Sequence, residues 1–371
     1  MNVPLVATYL MAPGVYPGMS RTVVRMTTEN GAVGLGETPN PDDAAELARL
    51  APCLVGQGVD VLRKKLAARD LPSAIARRDG KVLTRGPLAG VEIALWDIAG
   101  RLANVPVYEL LGGAVRTEIP LTEYFAYRVG REQTPDAVAE YCARMLDEHD
   151  SPWFEGKVGV RTPEDDLRLV ALVREAIGPD RLLRLDANMG WSVETARRML
   201  EALAEHDVAN AEEPVSAFAD LARLRETSPI PFSAHSPDLA SAAELGVPDT
   251  LVLGVGACGG VEGTRRFVAA CLEAGVGFWF YSGDLGIATA AQLHLTAALA
   301  PLEQPSQTLL RWYADDVIAE GPFVPRRGHV TVPSGPGLGV TLDERALERA
   351  TARYAREGAY DLYTAPPLPH H

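Results

Sequence analysis

From about residue 120 the chain alternates short apolar runs with amphipathic segments of helical period, and this rhythm restricts the fold more than any other feature. Strand candidates fall at 119–121, 153–157, 182–186, 208–212, 231–235, 251–255, 278–282 and 308–311, with helices expected at 164–177, 193–206, 263–274 and 288–299. Short apolar strands separated by helices are the pattern of a parallel sheet covered on both faces. Eight of them at this spacing, with no glycine-rich dinucleotide fingerprint after the first, point to a closed parallel barrel and not to an open sheet. Thr162-Pro163-Glu164-Asp165 supplies a cap, a first-turn proline and acidic residues where a helix must begin.

The flanks read differently. Residues 1–119 form a small α+β unit: 22–28 and 32–36 are paired strands around the Glu29-Asn30-Gly31 turn, followed by helices at 43–50 and 89–101. In the second helix Ile93, Trp96 and Ala99 recur at helical spacing and give an inward face. The barrel is assigned to 120–320. Residues 321–371, rich in proline and glycine, suit a segment that returns across the surface to the first unit, and the tail from Pro366 to His371 is expected to fray.

In a parallel barrel the chemistry sits at the C-terminal ends of the strands. Asp186, Glu212 and His235 end three consecutive strand candidates, so they are expected to converge as metal ligands. Asn188 follows two residues after Asp186 and faces the same way. Glu213 is assigned to the outer layer, because successive strand residues point to opposite faces, and Asp238 to the N-cap of a helix. Lys157 and Glu155 share one face of their strand and are expected to point into the barrel. They could form a structural ion pair, or Lys157 could serve as an amine base beside a metal. Tyr281, at the end of the seventh strand, is a candidate acid, with Asp284 in the loop after it.

The 49 acidic residues against 35 basic ones, a formal charge of -14, argue against nucleic acid or an anionic membrane as partner. Four widely spaced cysteines without a CxxC pair suggest buried reduced thiols. Without a signal pattern or long apolar run, a cytoplasmic location is expected.

Taken together, Gly34-Leu35-Gly36-Glu37, the helix 94–100 leading to Gly112-Gly113, Asp186-Ala187-Asn188, Glu212-Glu213-Pro214 and 336–340 resemble the mandelate racemase and muconate-lactonising branch of the enolase superfamily. Residues 282–288 and 315–318 lean toward its acid-sugar dehydratases, glucarate dehydratase among them. The resemblance implies an N-terminal α+β capping domain, completed by the C-terminal segment, over a modified (β/α)7β TIM-type barrel. It also implies Mg2+ binding a small carboxylate substrate, removal of the proton α to that carboxylate, and a symmetric homo-oligomer. Asp186 and Glu212 match the first two ligands, Lys157 the second lysine of the Lys-x-Lys base motif, and Asn188 a polar residue near the substrate.

Four positions depart from the pattern. Glu155 replaces the first lysine, His235 stands at the third ligand position, Gly254 stands where the Asp of a His-Asp dyad is expected, and Tyr281 falls at or beside the dyad histidine. A histidine ligand would suit Mn2+ or another divalent transition metal better than Mg2+. The missing second base weakens racemisation, which exchanges protons on both faces. The expectation is a lyase dehydrating a hydroxy acid, with Lys157 as base, Tyr281 as acid, and Glu155, Asn188 and Asp284 toward the substrate. Glu155 and Asp284 would also suit a substrate bearing an amine. The alternatives are a racemase, epimerase or cycloisomerase of the same superfamily, or a noncatalytic paralogue that binds a ligand.

Overall fold

The computed structural model describes residues 1–12, 14–68, 77–78, 81–82, 86–281 and 284–360. Seven strands form one parallel sheet in chain order: Glu123–Phe125, Trp153–Lys157, Leu182–Asp186, Asn210–Glu212, Phe232–Ala234, Thr250–Val252 and Gly277–Trp279. Helices including Pro135–His149, Pro163–Ile177, Val193–Leu203 and Val261–Glu273 fall between them. Local chemistry starts several of these helices. Thr134, Thr162 and Ser192 each accept a hydrogen bond from the backbone N–H three residues on, at 3.1–3.2 Å, and prolines occupy the first turn after both threonines.

Residues 306–308 close the sheet without a regular ladder. Leu121 bridges Ser306 in parallel, Thr122 N donates to Ser306 O at 2.9 Å, and Gln307 N donates to Phe280 O at 3.0 Å. The strand expected at 308–311 is therefore corrected: Thr308 Oγ1 accepts from Leu310 N at 3.0 Å and the chain turns into a short 3-10 helix, Leu310–Trp312. The strand expected at 119–121 is also corrected. Glu118–Pro120 pairs antiparallel with His329–Thr331 of the returning C-terminal segment, and the first barrel strand begins at Glu123. Its apolar residues are buried in either place, so hydrophobicity alone did not separate the two positions.

In the N-terminal part Asn2–Met11 pairs with Gly14–Ser20, and Thr22–Thr27 with Val33–Thr38, all antiparallel. The helix Gly86–Ala103 packs on the second hairpin and also against barrel helices, so it is buried nearly all round and not only along Ile93 and Trp96. The Gly-x-Gly run allows this approach: a Cβ at Gly36 would stand 1.8 Å from Gly90 O. The C-terminal segment joins here too. Gly337 N donates to Val105 O at 3.0 Å, and Arg353 and Asn2 exchange contacts through helix Glu344–Glu357 and Gly358. All four cysteines are free. Cys142, Cys258 and Cys271 are buried, but Cys53, expected to be so, is exposed. The tail expected to fray lies outside the described residues. Among the described residues no helix is long and apolar enough to cross a membrane.

Two carboxylates of the capping domain sit at the starts of barrel helices. Glu37 accepts from Leu285 N and Ala288 N at 2.8 and 3.1 Å. Glu92 accepts from Val261 N, from Glu262 N at 2.9 Å and from Trp96 Nε1 at 2.9 Å. Burial outweighs these donors and pushes Glu92 up to about 7. A carboxyl raised in the folded state contributes stability that is full below its unfolded value and lost as pH rises through 7. A shift of this size corresponds to about 3 kcal/mol. Melting temperature is therefore expected to fall between pH 5 and 8, and Glu92→Gln should flatten that slope; a slope unchanged by the substitution would contradict the assignment.

Candidate active site

Parallel register sets the centre of the site. Asp186 lies opposite Lys157 on one neighbouring strand and opposite Glu212 on the other, so all three side chains project at one level at the C-terminal end of the barrel. Asp186, Glu212 and Glu213 each offer a carboxylate oxygen, and these oxygens all lie within 4.8 Å of one another. The placement of Glu213 corrects the expectation that it faces outward. The regular strand ends at Glu212, and Glu213 takes a left-handed φ of 43°, so strand alternation no longer governs it. Its backbone is held between Met189 N, which donates to Glu213 O at 2.7 Å, and Ser233 O, which accepts from Glu213 N at 2.9 Å.

His235 is corrected in the opposite direction. It is not part of the carboxylate group among the described residues; its backbone N–H donates to Glu213 Oε1 at 3.2 Å, and its ring stands 4.5 Å from that of Tyr281. The imidazole is solvent-accessible at the mouth, yet surrounding protein, and then Lys157, hold it below its ordinary pKa, with Asp186 opposing. Neutral imidazole is the form that results near pH 7.

Burial raises the proton affinity of Glu212 and Glu213. Burial, then Asp186 and Glu155, pushes Glu212 well above the usual range, and burial followed by Asp186 takes Glu213 to about 7. Three oxygen donors of this kind, two of them on buried residues and one half-buried, fit a hard divalent cation, which prefers carboxylate oxygen and would relieve the repulsion.

Lys157 reaches into this group. Its Nζ donates to Asp186 Oδ2 and, at 2.6 Å, to Asn188 Oδ1, while Asn188 N donates to Asp186 Oδ1 at 2.8 Å. Left-handed φ values at Asn188 and Met189, 48° and 60°, turn the chain back so that Asn188 lies over Asp186. Among the described residues, the Lys157–Glu155 ion pair weighed from the sequence is absent. Glu155 instead lies 3.8 Å from Arg184, accepts from Thr122 Oγ1 at 3.3 Å, and accepts from Gln307 Nε2 at 2.7 Å.

Tyr281 lies against His235 and Gly254. Its ring fills the space above Gly254, where a Cβ would stand 2.7 Å from Tyr281 Cε1. Burial and then Asp284 push the phenol upward against the pull of Arg21, so it stays protonated at neutral pH. Asp284 is buried, and among the described residues its Oδ2 has no hydrogen-bond partner. It lies among Arg21, Glu37 and Tyr281; burial raises its proton affinity and Arg21 opposes. The capping domain reaches this part of the site: Pro39 packs against Gly256, and Tyr16 is among the groups that bear on Tyr281. Tyr16 also stacks on Tyr9 at 5.0 Å, and Tyr9 meets Tyr124 and Trp312 edge-on.

Sequence reasoning missed Gln307, Arg184 and Arg21, and misplaced Glu213. Pro214 carried the one available signal, since a proline after Glu213 bars a continued ladder there. Gln307 gave none, because its partners lie 95 and 152 residues away.

Residues 6–112 match the family described as mandelate racemase / muconate lactonizing enzyme, N-terminal domain, and residues 137–346 match the enolase C-terminal domain-like family. Chloromuconate cycloisomerase of Pseudomonas putida is 32% identical over 345 residues, covering 86% of this chain and 89% of its own. Probable glucarate dehydratase of Streptomyces coelicolor is 28% identical over 374 residues, covering 91% of this chain and 86% of its own. Among solved structures, an enolase from Thermobispora bispora complexed with magnesium and formate superposes with a TM-score of 0.85 at 29% identity, covering 96% of this chain and 92% of that one.

Proposed function

The chain belongs to the enolase superfamily, in its mandelate racemase and muconate lactonizing branch, and from that premise we propose that it removes the proton α to the carboxylate of a small hydroxy acid and expels a β-hydroxyl as water. The observation that carries this reading is the placement of the Lys157 amine against Asp186 and Asn188, at the edge of a three-carboxylate cluster. Asp186, Glu212 and Glu213 would hold Mg2+, an ion that a related enolase structure contains. Bound there, the ion would supply electrostatic stabilisation to the negative charge that builds on a substrate carboxylate.

Lys157, once its ammonium has given up a proton and stands as the neutral amine, accepts the α proton on its own face, with Asn188 Oδ1 fixing the direction of Nζ. The electron pair of the broken C–H bond moves toward the carboxyl group, then returns to form the C=C bond as the β C–O bond breaks. Tyr281, in its protonated form, gives its proton to the departing oxygen. Arg21 and Asp284 set the charge around that phenol. With the Tyr281 ring over Gly254, no second base occupies the opposite face at that position, which favours elimination over racemisation.

Tyr281→Phe is expected to lower dehydration by about 100-fold while leaving exchange of the α proton in place. Equal loss of both activities would remove Tyr281 from the role of acid. The reading as a whole is tested by incubating the protein plus Mg2+ with a library of acid sugars and assaying for keto-acid products. Cycloisomerisation is the second reading, favoured by the 32% identity to a chloromuconate cycloisomerase. Turnover of unsaturated diacids without any keto-acid product from the library would replace the first reading by the second.

A further inference from the structure

We propose that Gln307 is a positioning residue for the ion site, joining Glu155 and Glu212 through a single amide group; the assignment rests on the reading of Asp186, Glu212 and Glu213 as ligands. Gln307 Nε2 donates to Glu155 Oε1 and to Glu212 Oε2, each at 2.7 Å. An amide nitrogen carries two hydrogens, and this arrangement uses both. The reverse amide orientation would aim its carbonyl oxygen at two carboxylates, so the surroundings determine which end faces them.

All three side chains are buried. Gln307 itself stands on the closing stave of the barrel, where its own N–H is bonded to Phe280 O and the preceding residue is bonded to both Pro120 and Thr122. The amide is thus fixed from behind. Its far partner is fixed as well, since Glu155 Oε2 is engaged by Thr122 and Arg184. A continuous line of side chains, Arg184 to Glu155 to Gln307 to Glu212, therefore runs through the barrel and ends on a member of the carboxylate trio. Ser233 Oγ also addresses Glu212 Oε2, at 3.5 Å, which leaves Oε1 as the oxygen for the ion.

The neutrality of glutamine matters. A lysine or arginine between these carboxylates would place a competing cation beside the site, whereas an amide orients Glu212 and leaves the positive charge to be supplied by the ion. Glu155, which departs from the base motif of the family, thereby acquires a place in the support of the ion site.

Titration calorimetry of metal-free protein with Mg2+ tests the assignment, using wild type, Gln307→Leu, Gln307→Asn and Asp186→Ala, with melting curves for each. Leucine removes the donor, and asparagine is one methylene too short to span both carboxylates. Both Gln307 variants are expected to bind Mg2+ about 10- to 100-fold more weakly than wild type. The metal-free Asn variant should still melt cooperatively, and if the Leu variant does not, the Asn variant decides. Wild-type affinity in the Gln307 variants, alongside lost binding in Asp186→Ala, overturns the positioning role alone. No binding by wild type, or binding unaffected by Asp186→Ala, overturns the ion site and this assignment together.

Discussion

Lys157→Ala is expected to lower α-proton exchange by about 1,000-fold, within the range a positioned general base contributes. The same substitution should strengthen Mg2+ binding. In the structure the Lys157 ammonium sits on Asp186, one of the three carboxylates available to an ion, so its removal frees that oxygen and deletes a repelling charge. The metal-free variant should also melt lower, because Asp186 is left buried without its ion-pair partner, a change worth about 3–5 kcal/mol. Proton-exchange rates by NMR and Mg2+ titration of the variant check these outcomes. Exchange at the wild-type rate would assign the base to another group, and weakened Mg2+ binding would show that Lys157 does not compete with the ion.

Asp186→Ala is expected to abolish both Mg2+ binding and exchange. Asp186 is the residue at which the two halves of the site meet. One oxygen accepts from Lys157 and the other from the backbone of Asn188, and its strand neighbours on either side present Lys157 and Glu212. Its loss removes a ligand, releases the base, and leaves the Lys157 cation buried with only Asn188 Oδ1 as partner. Calorimetry and the exchange assay together distinguish this from a purely structural defect. A variant that melts cooperatively, binds no Mg2+ and exchanges no proton is the expected result; one that binds Mg2+ at wild-type affinity contradicts the assignment of Asp186 as ligand.

Much of the barrel was legible because its strands are buried on both faces and its helices begin with explicit caps. The strand Leu182–Asp186 and its neighbour Trp153–Lys157 could be read to the residue, since an apolar run there ends abruptly in polar side chains. The ends of the barrel were harder. The closing stave has no regular ladder, and the segment before the first strand, Glu118–Pro120, pairs with the distant His329–Thr331, so neither carries a local period. At the site, alternation placed Asp186, Lys157 and Glu212 on one face but failed for Glu213, whose positive φ is a property of the turn. The partners of Glu155 were equally hidden: Arg184 stands on the neighbouring strand, and Gln307 meets it only through closure of the barrel.

The most direct test of the central claim is deuterium exchange at the carbon next to the carboxylate, measured by NMR for a panel of hydroxy acids in D2O with the wild-type protein. Deuterium should enter that position of at least one acid when Mg2+ is present, and removal of the ion by chelation should stop it. Mg2+ bound at Asp186 with neither exchange nor product from any member of the panel would contradict the account.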